Sequence, residues 1–194
     1  MISTLLTSTA VVTLAEIGDK TMLLAMVLAA KLQRPWAVVA GIFAATVANH
    51  LLAALVGSEV AGLLDARWFR FAVAAGFLAM AAWTLVPDSL DDDEEPSVKE
   101  GSGGWLSAFT TTAIAFFLVE MGDKTQIATI ALGARYHDVL TVAAGTTLGM
   151  MIADAPAVFL GDRLVRIVPL KLARIVAAIM FAAIGAWQIV DLLR

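Results

Sequence analysis

Mostly apolar stretches, separated by short polar breaks, run along the whole chain. Six of them, at roughly 3–30, 37–57, 69–87, 105–133, 139–161 and 170–191, are long enough for a membrane-spanning helix, which needs about 20 apolar residues. The breaks fall at Lys31–Pro35, Ser58–Arg67, an acidic run after Pro87, Arg135–Asp138 and Asp162–Lys171. Trp36, Trp68 and Trp105 stand at predicted helix ends, where amphipathic aromatics settle at the membrane interface. The pattern predicts an all-α integral membrane protein with six transmembrane helices. Spans 1 and 4 exceed what a bilayer requires and carry charges in their middles, so they should be tilted, kinked or interrupted there.

The pattern repeats. Sliding the chain by 104 residues aligns 10–87 with 114–191 without a gap, with 20 identities in 78 positions. Gly-Asp-Lys-Thr at 18–21 recurs at 122–125, and Glu16/Glu120, Gly41/Gly145, Gly57/Gly161, Phe77/Phe181 and Trp83/Trp187 also match. Each half holds three predicted spans. An odd number makes the halves enter the membrane from opposite sides, the inverted-repeat plan of many secondary transporters. Residues 1–87 and 105–194 are read as two three-helix repeats, and 88–104 as an acidic, Gly/Ser-containing tether.

Composition agrees with a bilayer as solvent. Apolar residues make up 60% of the chain and charged residues 15%, with a mean hydropathy of +0.87; soluble domains run at about 45–50% and 25%. A soluble enzyme, a nucleic-acid binder and a disordered chain are thereby excluded. The net charge of −4 is uneven: residues 88–100 hold seven acids and one base, leaving twelve bases and ten acids elsewhere. With no cysteine and only His50 and His137, neither a thiolate site nor an ordinary zinc site is expected. The N-terminal segment lacks a basic n-region and reads as the first half of a membrane helix rather than a cleaved signal. Lys31, Arg34, Lys99, Arg163, Arg166, Lys171 and Arg174 fall on one predicted side, against Arg67, Arg70, Arg135 and Arg194 on the other. The positive-inside rule then puts the acidic linker in the cytoplasm and both termini outside.

The candidate chemistry lies in Glu16-Ile17-Gly18-Asp19-Lys20-Thr21 and Glu120-Met121-Gly122-Asp123-Lys124-Thr125. Charged groups in mid-span are expensive, and function is their default reading. On a continuous helix, Glu, Asp and Lys at i, i+3 and i+4 would share one face; alternatively the glycine breaks the helix and frees carbonyls as ligands. Four carboxylates suit a hard or intermediate divalent cation, and Lys20 and Lys124 reduce their charge to one that balances one divalent cation or two protons. Crowded carboxylates without a metal should take up protons, and competition for one site is the simplest basis of antiport. The rival reading is a buried Glu–Lys pair in each motif that serves packing.

The doubled E-x-G-D-K-T pattern, in a six-span duplicated chain with a central acidic linker, resembles the Gdt/transmembrane-protein-165 family of cation (Mn²⁺/Ca²⁺)/proton exchangers, and most closely its bacterial manganese-exporter branch. The resemblance implies export of Mn²⁺ or Ca²⁺ against protons across a bacterial plasma membrane. It also implies a site centred on Glu16, Asp19, Glu120 and Asp123, with Gly18, Lys20, Thr21, Gly122, Lys124 and Thr125 completing the motif. No cofactor beyond the transported ions is expected. Gln126 and Asp154 are further candidate ligands. Asp154 and its repeat equivalent His50, beside Asn49, are candidates for a proton relay, and Pro156 could loosen the helix around Asp154. Met22, Met26, Met121, Met150 and Met151 read as packing rather than thioether ligands. A passive divalent-cation channel and a small-metabolite exporter remain as alternatives. An intramembrane aspartyl protease is disfavoured, because Glu replaces the first glycine of its Gly-x-Gly-Asp pattern. Oligomeric state is open, with a homodimer as one option.

Overall fold

Both stretches with charges in their middles are interrupted there. The computed structural model describes residues 1–63, 67–87, 103–161, 163–164 and 169–193. The first stretch divides into α1 (Ile2–Glu16) and α2 (Lys20–Leu32), the fourth into α5 (Trp105–Glu120) and α6 (Lys124–Tyr136). α3 (Pro35–Leu63) and α4 (Arg67–Thr84) follow the first pair, and α7 (Val139–Leu160) and α8 (Leu170–Leu193) the second. Apart from Gly103 and Gly104, the acidic linker lies outside the described residues.

One cause produces both breaks. Gly18 has φ +83° and Gly122 φ +85°, a region that glycine enters without a Cβ penalty. The preceding Ile17 and Met121 have already turned extended, with ψ 109° and 114°. The following Asp19 and Asp123, with ψ 167° and 170°, are the N-caps of α2 and α6. The expectation of a shared helical face for Glu, Asp and Lys is therefore overturned. Glu ends one helix, and Asp and Lys start another. No such break occurs at Pro156, where α7 runs on to Leu160.

α3 over Pro35–Ala61, α7 and α8 are each long and apolar enough to cross a membrane. The pair α5–α6, bent by 70°, counts as a fourth crossing if it is one broken span. α1 is apolar but short, and α4 begins with Arg67 and Arg70, so neither α4 nor the pair α1–α2 meets that measure.

The helices pack through small residues in a reciprocal way. A Cβ on Gly41 of α3 would stand 2.7 Å from Thr112 and 2.8 Å from Phe109 of α5. One on Gly145 of α7 would stand 2.8 Å from both Ser8 and Leu5 of α1. These are the same contacts displaced by 104 residues in both partners, with glycine permitting close backbone approach. Phe77 of α4 and Phe181 of α8, themselves equivalent, are buried against each other with ring centroids 6.3 Å apart. Polarity is distributed opposite to that of a water-soluble protein. Glu16, Asp19, Asn49, His50, Glu120, Asp123, Lys124 and Asp154 are buried, whereas Leu6, Trp36, Ile114, Leu140 and Ile179 are exposed. An apolar exterior around a polar interior, on helices of spanning length, is that of an integral membrane protein.

Candidate cation site

The two breaks place four helix ends together. Glu16 and Glu120 close α1 and α5, where the negative end of each helix dipole reinforces the attraction for a cation. Asp19 and Asp123 open α2 and α6, but neither carboxylate caps its own helix. An N-cap Asp ordinarily accepts from the backbone of the first turn, so these two are turned to other partners. Asp19 accepts from Lys124 Nζ of the other motif at 3.0 Å, and both residues are buried, at 1% and 2% exposure. Asp123 in turn stands within hydrogen-bonding reach of Asp19.

Each motif is tied across its break by its threonine. The Thr21 hydroxyl donates to Glu16 Oε1, and the Thr125 hydroxyl donates to Glu120 Oε2 at 3.0 Å. The hydroxyl five residues on thus holds the glutamate in place and occupies one of its two oxygens. The remaining oxygens are the informative ones. Glu16 Oε2, Asp19 Oδ2, Glu120 Oε1, Asp123 Oδ2 and both oxygens of Asp154 are buried without a hydrogen-bond partner among the described residues. Such groups are strongly destabilising unless a proton or cation completes them.

Glu16, Asp19, Glu120, Asp123 and Asp154 form one electrostatic neighbourhood, the Asp154 carboxyl acting on Glu16 and Glu120 alike. Among the described residues, no three Asp, Glu or His side chains form a group that could hold a metal ion. Gln126 uses its amide oxygen to accept from the Gly122 N–H at 2.7 Å, which steadies the turn. His50 is buried with neither ring nitrogen paired among the described residues, while its neighbour Asn49 donates to the Phe117 carbonyl at 3.1 Å. Met22 and Met26 lie in the apolar cluster beneath α2, as packing residues do.

Identical motifs sit in unlike surroundings. Lys124 is buried and lies 5.8 Å from the centroid of the Trp83 ring, whereas Lys20 is half-buried; Trp83 and its equivalent Trp187 are both exposed, Trp187 the more so. A Cβ on Gly18 would meet Leu170 of α8 at 3.3 Å, whereas one on Gly122 would meet nothing within 4 Å. Trp83 and Leu170 stand beside the motifs at Lys124 and Gly18, and the sequence did not single them out for chemistry. The Trp83/Trp187 identity was the available signal for one, and Leu170 had none, because it acts only by covering a turn.

The family described as divalent cation/proton antiporter GDT1 matches residues 4–92 and 108–194, as two separate segments. A protein of Vibrio cholerae serotype O1 named "Putative manganese exporter" is 46% identical over 182 residues, covering 93% of this chain and 88% of its own. A GDT1-like protein of Synechocystis is 30% identical over 194 residues, covering 91% and 92%. GDT1-like protein 5 of Arabidopsis thaliana is 27% identical over 210 residues, covering 92% and 91%. No solved structure matches.

Proposed function

The chain belongs to the divalent cation/proton antiporter family GDT1, and on that premise we propose that it exports Mn²⁺ from the bacterial cytoplasm in exchange for protons, with Ca²⁺ as the competing substrate. The observation that carries the reading is the set of six partnerless buried oxygens on Glu16, Asp19, Glu120, Asp123 and Asp154. Octahedral oxygen ligation suits Mn²⁺, and carboxylates that no protein donor satisfies must take either a cation or protons. Two carboxyl groups as close as Asp19 and Asp123 share one or the other between them. Metal and protons then compete for the same oxygens, so loading of one expels the other.

Lys124 takes the part of a tethered cation. Its ammonium holds Asp19 when no metal is bound, and it withdraws when Asp19 turns to a metal ion. An ammonium lodged in the site also argues against a passive pore, which it would obstruct. Six crossings arranged as two inverted three-helix repeats complete the reading, the repeats being 1–87 and 105–194 joined by the acidic linker. It is supported by the reciprocal Gly41 and Gly145 contacts and by the separate family matches to 4–92 and 108–194. The unlike surroundings of the two motifs are those of one state of an alternating-access cycle, with Gly18 covered and Gly122 uncovered. The excess of Lys and Arg on the side of the acidic linker supports an orientation with both termini outside.

The test is rescue of metal sensitivity in cells that lack manganese efflux. The chain should protect against Mn²⁺, and Glu16→Gln and Asp123→Asn should abolish protection at unchanged membrane abundance. Absence of protection, or protection retained by both variants, overturns the reading. Four motif carboxylates offset by two lysines leave a charge of −2, which one Mn²⁺ or two protons balance; exchange at that ratio moves no net charge, so a membrane-potential change during proteoliposome exchange would refute that stoichiometry.

A further inference from the structure

At the end of the molecule where α4 begins and α6 and α8 finish, a cavity of about 420 Å³ opens between those helices and α3. Its polar lining is Arg70, Arg135, Tyr136, His137, Gln188 and Asp191. Arg70 is paired with Asp191 at 3.5 Å, and Arg135 lies over the Tyr136 ring at 5.6 Å, so the formal charge of the arginines and Asp191 sums to +1. Gln188 is 6% exposed, and its amide oxygen has no hydrogen-bond partner among the described residues. A buried acceptor on the wall of a cationic cavity calls for a ligand that carries both a negative charge and a hydrogen-bond donor.

The cavity does not end at its polar wall. Phe69, Val73 and Ala134 also line a second, apolar groove of about 240 Å³. That groove runs between α3, α4 and α6 past Gly76 to Met80 and Ile127, one turn short of Trp83 and Lys124 respectively. Gly76 leaves it open: a Cβ there would meet nothing within 4 Å. A cationic pocket continued by an apolar channel on a membrane protein matches a phospholipid with its headgroup at the interface and an acyl chain directed inward.

We propose that this composite cavity is a specific site for an anionic glycerophospholipid of the phosphatidylglycerol type. Arg135 and Arg70 hold the phosphate, a headgroup hydroxyl donates to Gln188, and one acyl chain lies along the groove past Gly76. The net positive lining selects an anionic headgroup over a zwitterionic one, and the hydroxyl requirement excludes choline. The chain end reaches the helix faces that carry Trp83 and Lys124, so occupancy should also steady the contact between those two residues. The site is separate from the carboxylates and does not rest on the transport reading.

Native mass spectrometry of the full chain in mild detergent tests this, with phosphatidylglycerol, phosphatidylcholine of the same acyl chains, and inorganic phosphate as probes. Phosphatidylglycerol should be retained about tenfold over phosphatidylcholine, the factor expected for one charge-assisted hydrogen bond. Arg135→Gln and Gln188→Leu should each lower retention by a similar factor. Gly76→Leu fills the groove from a position with room for a side chain, so it should abolish retention without lowering the melting temperature. It also keeps the test decisive if loss of the Arg135–Tyr136 contact impairs folding. Equal retention of the two lipids, undiminished retention in Gly76→Leu, or displacement of the lipid by inorganic phosphate would overturn the proposal.

Discussion

Replacing Lys124 with methionine removes the ammonium from the centre of the site while keeping most of its volume. The Lys124–Asp19 pair is 3.0 Å long with both partners buried. At that separation and an effective dielectric of about 20, the Coulomb attraction is roughly 5–6 kcal/mol. Desolvation cancels much of it, leaving on the order of 1.5–3 kcal/mol for a charge-assisted hydrogen bond. A metal ion that recruits Asp19 must overcome that contact and also the repulsion of a nearby cation. Without Lys124 neither opposes it. Mn²⁺ should therefore bind K124M about 10- to 100-fold more tightly than the wild type, while turnover falls because the ion is released more slowly. Binding is read from loss of the free-Mn²⁺ electron paramagnetic resonance signal on titration with purified protein, and turnover from Mn²⁺ flux in proteoliposomes. K20M is the internal control, since Lys20 is only half-buried, and its shift should be below about tenfold. Weaker or unchanged Mn²⁺ binding in K124M, or equal effects of the two substitutions, would refute the assignment of Lys124 as a tethered cation.

Asp154→Asn removes a buried charge whose two oxygens have no partner among the described residues; the melting temperature should hold or rise while Mn²⁺ flux drops at least about tenfold. Gly18→Ala and Gly122→Ala each force a side chain to φ above +80°, at a cost of about 1–2 kcal/mol. Gly18→Ala should lower the melting temperature more, because its methyl group also meets Leu170; equal losses would argue against that contact. Asp138 caps α7 by accepting from the Thr141 N–H at 3.2 Å, and the Thr141 hydroxyl first, then this N–H, hold its carboxyl below the ordinary value of 3.8. A depressed carboxyl contributes stability that is complete above its unfolded value and lost as pH falls through the folded one. Asp138→Ala should therefore lower the melting temperature at neutral pH, and the gap to the wild type should close below about pH 4.

Much of the architecture was legible because a bilayer imposes a coarse rule on sequence. Long apolar stretches and mid-span charges located α3, α7 and α8 and the two interruptions, since charge in lipid must be buried in protein or beside a break. The exact form of the break was less legible. Glu16, Asp19 and Lys20 have helical spacing, and Gly18 is compatible with both a continuous helix and a left-handed turn. Tertiary packing decides between the two, and spacing does not carry it. The Thr21 and Thr125 ties escaped notice for the same reason: an i, i+5 pair has no meaning on a helix and acquires one only once the helix is broken. The rival packing reading pairs Lys124 with Glu120 of its own motif, but its partner is Asp19, 105 residues away, a separation that periodicity cannot bridge.

The least legible feature is the difference between the two motifs, and the duplication explains why. Gly-Asp-Lys-Thr at 18–21 and 122–125 has the same local preferences, as the nearly equal turn angles at Gly18 and Gly122 show. The burial of Lys124 against Trp83 and the half-exposure of Lys20 therefore arise from the surroundings, which differ at the turns as well: Leu170 lies over Gly18, and no described residue comes within 4 Å of a Cβ placed on Gly122. Sequence identity makes the two arrangements close in intrinsic energy, so the packing of α4 and α8 against the core is left to choose between them. A site built from one motif would have a single preferred environment. In the alternating-access cycle proposed above, a site built from two copies would exchange the roles of Lys20 and Lys124 at a small net difference in free energy, which is the condition for a ligand to shift the population between them.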